Sequence, residues 1–274
     1  MKTKYILAIL SLLLCVCWLV SCAPHSIPTI GPAETTPEST PESTPESTPL
    51  PDEMTEPPET EPLVPKKRIA LTFDDGPSRQ GLTEKLVDEL AKYNGKATFF
   101  VLGNLISETT GKALSYADAH GCEIAIHGYT HDIYYDTCSY QDFLDELAQT
   151  KAAIEKYVSS PAPLLRPPGG RITESRALAS GYPIILWSVD SEDWRYKSRA
   201  DEDTIRTNVH NIVENVTKNV KDGDIILLHE IYTNSYEATC QILRELHEMG
   251  FEFVTVTELL GEENLRAGEI IYQK

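Results

Sequence analysis

From residue 66 to the C-terminus the chain alternates between two hydrophobic periods, and that alternation limits its fold more than any other feature. Short apolar runs occupy Arg68–Asp74, Ala97–Leu102, Cys122–His127, Leu164–Arg166, Pro183–Val189, Asp224–His229 and Phe251–Val256. Their length and bounding turn residues predict seven buried strands. Between them lie sets spaced by three and four: Leu82, Leu86 and Leu90; Phe143, Leu144, Leu147 and Ile154; Ile205, Val209, Ile212, Val213 and Val216; Ile242, Leu243 and Leu246. Each set falls on one face of a helix. Strands alternating with helices predict parallel β/α units with right-handed crossovers, as an open sheet or a closed barrel.

The first 65 residues follow neither period. Lys2 and Lys4 precede an apolar stretch from Tyr5 to Val20, which ends at Leu19-Val20-Ser21-Cys22. A basic start, a short apolar run and a small residue at its end predict a secretory signal over 1–22, too short for a comfortable membrane span. Leu-Val-Ser-Cys resembles the bacterial lipobox, which implies a lipidated Cys22 and anchorage to the outer face of a bacterial cell membrane. Residues 23–65 hold twelve of the 18 prolines and nine acidic but no basic side chains, with Thr-Pro-Glu-Ser repeated between Thr36 and Thr48. Such a composition predicts an extended, disordered spacer, leaving 66–274 as one domain.

Charge and cysteine content narrow the possibilities further. The net charge is −18 and no segment is basic, which argues against a nucleic-acid partner, since phosphate binding needs a Lys/Arg stripe. Cys122, Cys138 and Cys240 match no zinc spacing and allow at most one disulfide. Any metal must be held by other side chains.

The polar residues with chemistry cluster at the carboxyl ends of the predicted strands. Asp74 and Asp75 close the first, His127 the third, Arg166 the fourth, and His229 the sixth, while Asp190 follows the fifth. In parallel α/β folds that end carries ligands and catalytic groups. In Thr72-Phe73-Asp74-Asp75-Gly76-Pro77 two adjacent carboxylates repel one another unless a cation neutralises them. His127-Gly128-Tyr129-Thr130-His131 offers two imidazoles, which face one way if Gly128 opens a helical turn. Two histidines and a carboxylate leave coordination positions open for water, as in catalytic zinc sites.

These motifs, with Arg166-Pro167-Pro168-Gly169-Gly170, Asp190-Ser191-Glu192-Asp193-Trp194 and Leu227-Leu228-His229, resemble in order and spacing the polysaccharide deacetylase family, the NodB-homology domain of carbohydrate esterase family 4. The resemblance extends from Lys67 to about Leu260 and implies a distorted (β/α) barrel with fewer than eight strands, in accord with the seven counted. It implies Asp75, His127 and His131 as ligands of a divalent metal, with zinc the default and cobalt or nickel able to replace it. Asp74 is implied as the general base for the attacking water and His229 as the acid for the departing amine. Asp193 is implied to contact both His229 and Arg166, orienting the imidazole and keeping it protonated. Trp194 and Leu227 would wall the pocket for the acetyl methyl, and Gly169 would offer a backbone N–H to the oxyanion.

The sequence departs from the family pattern at two places. Gly169 stands where tyrosine is usual, removing an aromatic sugar contact, and Gly128 replaces a Ser or Thr that braces the metal loop. Tyr129, Tyr134 and Tyr135 are alternative sugar-stacking candidates. His25, His120, His210 and His247 carry no expected role, and none is assigned to Glu230-Ile231-Tyr232. The expectation is a monomeric, surface-anchored, metal-dependent enzyme acting on a polysaccharide, removing acetyl groups from N-acetylglucosamine-type residues of peptidoglycan or chitooligosaccharide. One rival is an O-acetyl esterase for xylan or a related glycan; another is a surface carbohydrate-binding protein without activity.

Overall fold

In the computed structural model residues 66–197 and 201–274 are described. The expected targeting segment 1–22 and spacer 23–65 lie outside them. The elements run β1 (Lys67–Gly76), α1 (Leu82–Ala91), β2 (Thr98–Leu102), α2 (Glu108–Ala119), β3 (Glu123–Gly128), α3 (Tyr140–Ile154), α4 (Glu174–Ser180), β4 (Ile184–Ile185), β5 (Val189–Asp190), α5 (Glu202–Thr217), β6 (Ile225–His229), α6 (Thr233–Glu248), β7 (Phe251–Phe253), α7 (Val256–Leu260) and β8 (Ile270–Ile271). No helix among them is long and apolar enough to cross a membrane.

The main sheet has the order β3-β2-β1-β6-β5, with β7 joining the start of β1. Its pairings are all parallel. Leu165 bridges Ile126 of β3 on one side and Ile184 of β4 on the other. Since β4 leads through Trp187 into β5, the strands pass round a distorted barrel. The expected strand Leu164–Arg166 is therefore a bridge at one residue. Pro161, Pro163, Pro167 and Pro168 surround it and lack the N–H groups that a longer ladder would need. The run 183–189 divides into β4 and β5, the run to Val256 ends at Phe253, and β8 was not foreseen.

Side-chain alternation along the strands sorts residues into two cores. On β1, Ile69, Leu71 and Phe73 pack with helical residues such as Leu86, Leu90 and Leu243. Ala70 belongs instead to the inner cluster with Phe100, Ala125, Ile185 and Ile225. Following that inner row upward by twos gives Thr72 and Asp74 on β1, His127 on β3, and Leu227 and His229 on β6. Strand period thus carries the polar residues to one mouth of the barrel. Helix starts are fixed locally: the side chains of Ser107, Ser139, Thr173, Asp201 and Thr255 each accept a backbone N–H of the first turn, satisfying donors otherwise unpaired.

Candidate active site

Strand alternation alone would send Asp74 and Asp75 to opposite faces. Asp75 instead has φ +69°, and the pairing of β1 with β2 shifts register between Phe73 and Gly76. This left-handed conformation costs on the order of 1–2 kcal/mol for a residue with a Cβ, and it turns the second carboxylate back toward the same mouth as the first.

There Asp75 meets His127 and His131, and one donor atom from each lies within 4.8 Å of the others. Asp75 Oδ1 is 3.4 Å from His127 Nε2 and 3.7 Å from His131 Nε2. It is buried without a hydrogen-bond partner. His127 Nδ1 lies 2.8 Å from the carbonyl of Arg166, so that nitrogen donates and Nε2 is left with its lone pair toward Asp75. An unpaired buried carboxylate oxygen facing two imidazole nitrogens, one with its tautomer fixed from behind, is a donor set suited to a small divalent cation.

Two further units flank the triad. Asp74, almost fully buried, accepts from Arg166 Nη1 at 2.8 Å. Arg166 is fully enclosed in the barrel, donating also to Thr72 Oγ1 and to the carbonyls of Ile185 and Leu186, with Phe100 against its guanidinium. Across the mouth, His229 Nδ1 donates to Asp193 Oδ1 at 2.7 Å, and Asp193 Oδ2 accepts from the His229 backbone N–H and from Ser235 Oγ. The triad, Asp74 and His229 share a cavity of about 420 Å³ with Tyr134, Gly169, Trp187, Asp190, Trp194, Lys197, Leu227 and Tyr232. A larger hollow, about 710 Å³, lies at the opposite ends of β1 and β7 among Lys66, Arg68, Lys96 and Glu258; no metal-ligating cluster of described residues falls there.

Residues 62–182 match the family model described as polysaccharide deacetylase. A peptidoglycan-N-acetylglucosamine deacetylase of Bacillus cereus is 36% identical over 203 residues, covering 71% of this chain and 89% of that protein. The chain belongs to the polysaccharide deacetylase family. A second member, the peptidoglycan-N-acetylglucosamine deacetylase PgdA of Listeria monocytogenes, is 35% identical over 217 residues, 78% of this chain; the chain spans only 44% of that longer protein. Among solved structures, a family 4 acetyl xylan esterase from Clostridium thermocellum in complex with a cobalt ion superposes with a TM-score of 0.66 at 28% identity, covering 76% of this chain and 98% of that one.

Within this polysaccharide deacetylase fold the expected site residues meet at one cavity, with Arg166 and Asp193 directly behind it. Two expectations are corrected. Arg166 pairs with Asp74 and not with Asp193: its side chain enters the barrel interior, where Asp74 and Thr72 lie, whereas Asp193 is filled by His229 and Ser235. The histidine loop is not a helical turn either. Its shape comes from Glu146 on α3, buried beneath it, whose Oε2 accepts the backbone N–H groups of Tyr129 and Thr130 at 2.6 and 2.8 Å. A Cβ on Gly128 would lie 3.3 Å from that same oxygen, so the glycine leaves room for the brace.

Trp194 is 40% exposed on the cavity wall, too open for a core residue, and Leu227, which also lines the cavity, is buried. Gly169 sits at φ +61° in a short turn beside Tyr134, whose ring lies against Arg171, 4.4 Å from its centre. Tyr135 is buried and Tyr129 half-buried, and neither lines the cavity. Cys122, Cys138 and Cys240 are free thiols. Glu146, Trp187, Lys197 and Tyr232 were missed; none stands in a motif, and only folding brings them to the site.

Titration behaviour follows the same geometry. Burial opposes ionisation of Asp75, but the imidazole of His127, then those of His229 and His131, outweigh it and hold the carboxyl at about 2. Burial lowers His131 more than Asp75 raises it. For His229 burial is overcome by the hydrogen bond and charge of Asp193, then by Asp74 and Asp75, and the imidazole is pushed up to about 9.

Proposed function

We propose that the protein is a metal-dependent deacetylase of N-acetylglucosamine-type residues in a polysaccharide, with peptidoglycan the favoured polymer. The observation that carries this reading is the Asp75–His127–His131 triad sharing one cavity with a carboxylate held by arginine and a histidine held by aspartate. A divalent cation in the triad, with zinc favoured and cobalt or nickel able to serve, would polarise the acetyl carbonyl and make water a better nucleophile.

The chain's own groups supply the rest. Asp74, its Oδ1 held by Arg166, is oriented to take a proton from the attacking water. His229 keeps its Nδ1–H on Asp193, which turns Nε2 toward the cavity, and with a pKa of about 9 the imidazole enters the reaction protonated and can give that proton to the amine nitrogen as the C–N bond breaks. Leu227 and Trp194 provide an apolar wall for the methyl group. Peptidoglycan is supported by the Bacillus and Listeria relatives and by the N-terminal sequence. A lipid-anchored, monomeric protein, carried at Cys22 on the outer face of a bacterial membrane, with 23–65 as spacer and 66–274 as catalytic domain, would meet that polymer directly.

A second reading, an O-acetyl esterase acting on xylan or a similar glycan, is favoured by the likeness to an acetyl xylan esterase and would use the same groups. Acetate release by the whole chain, loaded with zinc or cobalt, from chitooligosaccharides, peptidoglycan and acetylated xylan separates the two. Release that vanishes in Asp75→Ala and His127→Ala is expected, with N-acetyl substrates preferred. Glycan binding with metal bound and no acetate from any substrate would overturn the reading in favour of a binding protein.

A further inference from the structure

Asp75 reaches the triad only through its left-handed backbone, a conformation that persists where surrounding structure over-determines it. The turn that follows it, Gly76–Pro77–Ser78, packs against a side chain with no part in the reaction described above. Glu230, the residue after His229, is 1% exposed. Its backbone N–H donates to the Asp74 carbonyl at 3.3 Å, and its Oε2 accepts from Thr83 Oγ1 in α1. Thr83 Oγ1 in turn accepts the Ser78 N–H at 3.1 Å. Glu230 Oε1 is buried and without a partner, and it occupies the volume where a Cβ of Gly76 would stand.

Resting on the proposed metal site, we infer that Glu230 is a positioning residue: it locks the turn after Asp75 and thereby holds that carboxylate on His127 and His131. Gly76 is glycine because the Glu230 carboxyl fills its side-chain space; its φ lies outside the left-handed region, so backbone freedom is not what requires it. The chain Ser78, Thr83, Glu230 spans three elements and ties the ends of β1 and β6 to the start of α1. Asp74, Asp75 and His229 are consequently fixed as one unit. Burial pushes the Glu230 carboxyl up to about 8, which agrees with a carboxyl used for shape and hydrogen bonding and not for charge.

The test measures cobalt affinity of the whole chain by competition with a chromophoric chelator, and the visible spectrum of the bound ion, for Glu230→Ala, Glu230→Gln, Gly76→Ala and the double variant Gly76→Ala/Glu230→Ala. Loss of a group that orients a ligand weakens metal binding about 10- to 100-fold. Glu230→Ala is expected to show that loss, an altered spectrum, and a fall in kcat larger than any rise in KM, while circular dichroism remains native. Glu230→Gln, of the same shape and still able to accept from Thr83, recovers most of the affinity. Gly76→Ala weakens binding alone, and the double variant binds more tightly than the product of the two single losses, because the new methyl enters the space the carboxylate vacated. Affinity and spectrum within twofold of wild type in Glu230→Ala, or independent losses in the double variant, overturn the inference. Wild-type protein that binds no cobalt would instead overturn the metal-site reading, and this inference with it.

Discussion

The chemistry at single residues turns on how two identical side chains, Asp74 and Asp193, are given different partners. Asp74 takes an arginine that never leaves the barrel, while Asp193 takes His229 on both nitrogen donors, ring and backbone. That second pairing predicts the basic limb of the pH–rate profile. The acid form of His229 is required and its pKa is raised to about 9, so activity is maintained through neutral pH and lost as pH rises through that value. Asp193→Asn removes the charge, and the limb should move down toward the ordinary histidine value near 6.5, with kcat at neutral pH reduced about tenfold or more. A kcat profile from pH 5 to 10 for both proteins measures this; an unmoved limb would mean that another group is the acid. His229→Ala should cost about 10²–10⁴-fold in kcat while leaving cobalt affinity near wild type, as it lies outside the triad.

Among elements, what the sequence made legible was whatever repeats or ends a repeat. Strands β1, β2, β3 and β6 and helices α1, α3, α5 and α6 stand out because their apolar spacing is strong, and their ends carried the candidate residues with them. Of helix α2 only the end, at His120-Gly121, is legible, because Gly111 interrupts a weak apolar pattern and its capping box uses Thr110 where Glu or Gln is the usual signal. Helices α4 and α7 are seven and five residues long, too short for a period to show. Asp75's left-handed turn and the brace from Glu146 were invisible for another reason: each depends on a partner distant in sequence, and a lone Glu in a helix looks like solvated surface. The brace makes a prediction at this scale. Glu146→Ala orphans two backbone donors, Tyr129 N–H and Thr130 N–H, and should destabilise by about 1–3 kcal/mol in urea unfolding, with weaker cobalt binding because His131 follows that loop. Glu146→Gln retains an acceptor oxygen and should lose less on both measures.

At the scale of the whole described fold, the triad joins β1 to the end of β3 and the loop beyond it, so an ion bound there would link strands otherwise held by β2 between them. Binding to the folded state alone stabilises by mass action, about 2.7 kcal/mol at a ligand concentration 100 times Kd. For a domain of about 200 residues this should raise Tm by roughly 5–10 °C. Thermal unfolding of the whole chain with excess zinc, then after chelation, measures the difference directly. His131→Ala provides the decisive contrast, because His131 is partly exposed and at the edge of the site: its removal should scarcely change the Tm of the chelated protein but abolish most of the zinc-dependent rise. A rise that survives in His131→Ala and also in Asp75→Ala would place the stabilising ion elsewhere on this acidic chain and separate metal binding from the chemistry of the cavity.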